Sequence, residues 1–244
     1  MCNIPSAVKE TACRKTLVPR RASLITIPVV VLTAVLTALH PASATEDDTQ
    51  QWTTVTAKHK VDDRLTLSLA SRLRFDEDVS RAKDLFLRPA VEVKVLPPFS
   101  LGLGYDYIYS YASNSSTEQR IWEQASLKLD LGDLSIGNRL RIEQRFLDDA
   151  DGVVVRARYR LRLEHPIGAS PWSLIGSDEV FANLNSQGAG PVSGFEQNRL
   201  FGGVGRRFWD RLWIETGYQW GYQEERDKQD QVTHSLLVNV TLDF

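Results

Sequence analysis

After residue 50, apolar and polar side chains alternate one for one through most of the chain. A strand turns successive side chains to opposite faces, so this period specifies strands with one apolar and one polar face. Leu65, Leu67, Leu69, Leu73 and Phe75 oppose Arg64, Thr66, Ser68, Ala70, Arg72 and Arg74. The pattern returns at Val91–Val95, Leu101–Ser110, Arg139–Phe146, Val153–Glu164, Leu212–Tyr222 and Ser235–Phe244. Weaker stretches are Trp52–Lys60, Ile121–Leu129, Trp172–Phe181 and Asn198–Arg207. Alternating segments of about ten residues, separated by turn residues, are the pattern of a transmembrane barrel.

The expected fold is therefore all-β: a transmembrane antiparallel up-and-down β-barrel of about ten to twelve strands. Eleven candidate segments can be counted, whereas single-chain bacterial barrels have an even number. Either Trp52–Lys60 is not a full wall strand, giving ten, or a further strand is hidden, giving twelve. Short connections (61–63, 96–100, 130–133, 165–171, 208–211) alternate with longer polar ones (76–84, 111–119, 147–152, 182–197, 223–231). Short periplasmic turns and longer external loops are expected of such barrels.

The first 44 residues read differently. Lys9, Arg14, Lys15, Arg20 and Arg21 precede an uncharged apolar run, Leu24–Leu39, and then Ala42-Ser43-Ala44. This is the layout of a secretory signal cleaved after Ala44. A membrane anchor is the alternative, but a spanning helix needs about 20 apolar residues, and Thr26, Pro28, Thr33 and Thr37 interrupt this run. The barrel would occupy 45–244, with 24 basic against 30 acidic residues, net −6. That balance argues against nucleic acid as a partner. Cys2 and Cys13 fall in the removed segment, leaving no disulfide, thiolate nucleophile or cysteine metal site.

A soluble barrel or sandwich also alternates, with its apolar face inward. Three features favour the inverted arrangement. The polar faces combine small with charged residues, which suits a narrow polar lumen. The aromatics Trp52, Tyr105, Tyr107, Tyr109, Tyr111, Trp172, Trp213, Tyr218, Trp220 and Tyr222 gather near strand ends, as interfacial girdles do. Arg156, Arg158, Arg160 and Arg162 share one strand face. The expected lumenal charge network is Arg72, Arg74, Glu92, Arg139, Arg141, Glu143, Arg145, Arg156, Arg158, Arg160, Arg162, Glu164, Glu179, Arg199 and Glu215. Either it is a structural ladder in which each buried charge has a partner, or it lines a narrow pore that attracts anions. Small barrels are mostly filled by side chains, which favours the ladder.

Evidence for chemistry is sparse. His59, His165 and His234 have no metal-ligand spacing, and no metal or cofactor is expected. His234-Ser235 brings to mind lipid hydrolases, but adjacent strand residues face opposite ways and cannot form a nucleophile–base pair unaided. Gly102 and Gly104 lack phosphate-loop context and make room inside a tight barrel. Tyr105, Tyr107 and Tyr109 fit a girdle better than a sugar platform.

Leu236–Phe244, alternating and ending in phenylalanine, resembles the C-terminal sorting signal read by the barrel-assembly machinery, with Phe244 as the assembly residue. A series of motifs resembles domain-of-unknown-function family 2490, a group of predicted outer-membrane barrels. They are Trp52, Arg72-Leu73-Arg74-Phe75, Gly102–Tyr107, Glu118–Gln124, Arg139–Phe146, Arg156–Arg160, Asp178–Phe181, Gln197–Arg199 and Thr216–Tyr218. The resemblance spans the whole chain after the signal. It implies a fold and supplies no catalytic residues. The expected protein is a monomeric, non-enzymatic outer-membrane barrel of structural or passive pore character, with the lipid bilayer as partner. A lipid or lipid A hydrolase and a soluble periplasmic binding barrel are the alternatives.

Overall fold

The structure, a computed structural model, describes residues 46–111, 115–148, 150, 152–188, 191–225 and 229–244. The expected signal 1–44, with both cysteines, lies outside the described residues. The strands are β1 (Glu46–Lys60), β2 (Leu65–Asp76), β3 (Arg81–Leu96), β4 (Phe99–Ser110), β5 (Ser116–Leu131), β6 (Leu134–Leu147), β7 (Val153–Pro166), β8 (Trp172–Asn183), β9 (Gly194–Phe208), β10 (Leu212–Gln223) and β11 (Gln231–Asp243). Each pairs with its sequence neighbours, and β1 closes the sheet onto β11. The all-β barrel expected from the alternation is present.

The count is eleven, neither ten nor twelve, and one pair is not antiparallel. Strands alternate in direction, so an odd number brings the first and last together running the same way. The β1·β11 pair is parallel from Glu46↔Gln231 to Lys58↔Asp243. β1 is thus a full wall strand. Several strands also run further than expected. β3 begins at Arg81 and β5 at Ser116, so the first two polar loops shrink to 77–80 and 111–115. The β6–β7, β8–β9 and β10–β11 connections fall at the same rim. The tight connections 61–64, 97–98, 132–133, 167–171 and 209–211 form the other rim.

The polarity is inverted relative to a soluble barrel. Leu69, Leu103, Leu140, Leu200 and Leu236 stand about half exposed on the outer wall, while Asp106 and Glu143 are fully buried inside. Most polar groups on the outer wall are paired side by side. Gln144 donates to Glu123 at 3.1 Å, Asn198 to Asp178 at 2.6 Å and Tyr159 to Asn138 at 2.6 Å.

Candidate functional site: the charged lumen

The inward faces of β5–β9 carry arginine and glutamate at positions that the register brings level. They assemble into one continuous chain of alternating charge. Arg120 meets Glu118 at 2.6 Å, which meets Arg145 at 2.5 Å. Arg145 reaches Glu196 at 3.1 Å, which accepts from Arg156 at 2.9 Å. Arg156 and Arg158 grip opposite oxygens of Glu143, at 2.6 and 2.5 Å. Arg158 then binds Glu179 at 2.8 Å, and Arg139 ends the chain on the same carboxylate oxygen at 2.5 Å. Each carboxylate serves two guanidiniums, which meets the requirement that buried charge be paired and hydrogen-bonded.

A second knot lies on β3–β5. Asp106 accepts both arms of Arg88 and the indole N–H of Trp122 at 2.8 Å. Trp122 lies flat on the wall at Gly104, where a Cβ would fall 2.1 Å from its ring, and Arg141 stacks on its face at 3.7 Å. Arg74 pairs with Asp84. Arg162 binds Glu215 at 2.6 Å and Glu164 at 3.5 Å.

The remaining sector, β8–β11 with β1, is filled differently. Trp52, Ile175, Phe201 and Leu237 form a buried apolar cluster inside the barrel, with Trp213 packed against it. The wall beneath is glycine. Gly203 and Gly217 are directly opposite, and a Cβ on Gly203 would lie 2.4 Å from the Thr216 carbonyl oxygen. Trp52 and Trp213, expected in the aromatic girdle, are therefore interior. Their positions fall on the face that carries Thr54 and Glu215.

Between the charge chain and the tight-turn rim lies a cavity of about 560 Å³. Its walls are small, from Ser68, Ala70, Ser100, Gly102, Ser126 and Gly137. Exposed Lys58, Pro98 and Lys128 mark its mouth. Its inner end is formed by Arg72, Trp122, Arg139, Arg141 and Arg160.

All the charged residues anticipated from alternation point into the lumen, but not all join the network. Among the described residues Arg72 donates only to Thr54, at 2.9 Å. Arg199 rests on the Trp52 and Phe181 rings. Arg160 and Glu92 line the cavity, with no ion pair among the described residues. Arg88, Asp84, Asp106, Glu118, Arg120 and Glu196 were not anticipated as members. Asp84, Glu118 and Glu196 sat in stretches read as loop. Continuing the period-two register upstream of Ile121 would have found Glu118 and Arg120. His234 is on the outer wall, hydrogen-bonded to Tyr218, while Ser235 is buried in the lumen. Phe244 stands at the tight-turn rim, its N–H on the Lys58 carbonyl at 2.8 Å.

An eleven-strand barrel with an apolar outer wall and an arginine–glutamate interior defines the class. Residues 49–233 match the family described as "Protein of unknown function (DUF2490)", and the chain belongs to that family. An uncharacterized protein of Methylorubrum extorquens is 27% identical over 173 residues, covering 68% of this chain and 75% of that relative. Among solved structures, LpxR from Salmonella typhimurium aligns with a TM-score of 0.47 at 9% identity, over 72% of this chain and 83% of that one.

Proposed function

We propose that the protein is a monomeric outer-membrane β-barrel whose lumen is closed, a structural wall element with a one-sided polar cup and not an open pore. The observation that carries this is the unbroken charge chain from Arg120 to Arg139, which stands across the interior between the loop rim and the cavity. An open pore would solvate these groups with water; here Glu143 and Arg156 are buried among partners.

Three features support the membrane. The outer wall is a belt of leucine and valine, and strands of 12 to 16 residues exceed the roughly 9–11 needed to span. Outward aromatics gather at both rims. Tyr109, Tyr111, Phe195 and Tyr222 mark the loop side, and Trp172 and Trp209 the turn side. Under this reading the barrel-assembly machinery recognises the β11 terminus at Phe244, and the 1–44 segment directs export. The proposal assigns no hydrolytic role, since His234 and Ser235 lie on opposite faces of β11.

The test combines extraction with conductance. The purified protein should require detergent, migrate differently on gels with and without heating, and give no steady current in planar bilayers. A stable anion-selective current would favour the pore. Solubility without detergent would favour the inside-out soluble barrel.

A further inference from the structure

Beyond the closed-barrel reading, we propose that the cup at the tight-turn end is a binding site for a phosphate monoester on a small hydroxyl-rich carrier, held by Arg160, Arg139 and Arg141. The argument begins with a charge mismatch. Arg139 on β6 and Arg160 on β7 are direct cross-strand partners with both side chains inward. Like charges placed directly opposite are unfavourable unless an anion lies between or beside them.

Of the carboxylates lining the cup, Glu164 pairs with Arg162, and Glu92 makes no ion pair with these arginines among the described residues. Glu179, the direct neighbour of Arg160 on β8, already accepts from Arg158 and Arg139 through one oxygen. Among the described residues Arg160 makes no ion pair and no hydrogen bond. Arg141 spends two N–H groups on the Gln124 amide oxygen, at 3.1 and 2.7 Å. Its Nη1 has no hydrogen-bond partner, and its nearest carboxylate, Glu143, is at 3.8 Å and held by two other arginines. The charge chain thus ends at the cup with cations in excess.

The geometry selects the ligand. Planar guanidinium forks match the oxygen pairs of a phosphate, and a monoester brings nearly two negative charges. A cavity of about 560 Å³ is far larger than one phosphate and falls in the ordinary range for small-molecule sites. Ser68, Ser100 and Ser126 supply hydroxyls along the walls, the partners a sugar or glycerol moiety requires. The same phosphate could arrive on a soluble sugar phosphate or on a lipid headgroup entering from the rim.

Calorimetric titration of the detergent-refolded barrel would use glucose 6-phosphate, inorganic phosphate and phosphatidic acid in mixed micelles. Saturable binding of glucose 6-phosphate or phosphate, weakened tenfold or more in Arg160→Gln, identifies a soluble ligand. Binding of phosphatidic acid alone, with the same loss, identifies the headgroup. Arg160→Lys keeps the charge without the fork and should fall in between. Arg160 makes no ion pair or hydrogen bond among the described residues, so both variants should keep the heat-modifiable migration of the folded barrel. The proposal is overturned if no probe binds, if Arg160→Gln binds as well as the parent, or if both variants fail to fold.

Discussion

The two sectors of the lumen solve one problem by different physics. Between β5 and β9 the interior is filled by ion pairs, five arginines threaded on four glutamates. Between β8 and β1 it is filled by Trp52, Ile175, Phe201 and Leu237 over a floor of glycine. The ionic sector depends on completeness, because a removed partner strands a buried charge. The apolar sector depends on shape, because its stabilisation scales with area and its glycines leave no room for a Cβ. One is intolerant of a change in charge, the other of a change in volume.

The largest test of that contrast is Glu143→Gln. It removes the carboxylate shared by Arg156 and Arg158 with little change in size. Breaking a buried pair from one side costs about 3–5 kcal/mol, so urea refolding titrations into detergent should show a loss of that order. A loss under about 1 kcal/mol would mean that water reaches the chain, and the ionic sector would be a wet channel. Next comes Ala157→Arg, on the outer wall of the same β7 strand that carries Arg156 and Arg158. An arginine facing lipid near the midplane costs about 2–4 kcal/mol, and the same titration measures it. If it is harmless, the outer wall does not face lipid.

Gly203→Ala probes the apolar sector. Its methyl would press on the Thr216 carbonyl and the Phe201 ring, and overpacking of this kind costs about 1–3 kcal/mol. Ile175→Val is the mildest, at about 0.5–1.5 kcal/mol. Should Ile175→Val cost more than Glu143→Gln, the order of importance of the two sectors is reversed.

The same contrast explains what alternation could reveal. β7 was legible because valine, tyrosine and leucine face out and four arginines face in, and its charges lie where the period placed them. β8 and β9 were weak for a physical reason. Ile175, Phe181 and Phe201 are apolar and inward, so both faces of those strands carry apolar residues and the period fades. Trp52 and Trp213 were misplaced for the same cause, since an indole near a strand end suits an interfacial girdle as well as an interior plug. Glu196 was hidden at the start of β9, where the register shifts opposite Phe181/Ala182. The partnership of Glu118 with Arg145 needed the register of the β5–β6 hairpin, and that of Arg162 with Glu215 needed the three-dimensional closure of the sheet.

Closure through a parallel seam also makes the barrel directional. Glu46 opens β1 beside Gln231 at the loop rim, whereas Phe244 is fastened to Lys58 at the turn rim. In a membrane, a protease site engineered ahead of Glu46 and an epitope placed after Phe244 would report from opposite compartments. An even-stranded barrel returns both ends to one side; here the polypeptide makes a net crossing. The two ends of the barrel wall are therefore a built-in compass, and labelling them in intact and permeabilised cells would read which way the phosphate cup points.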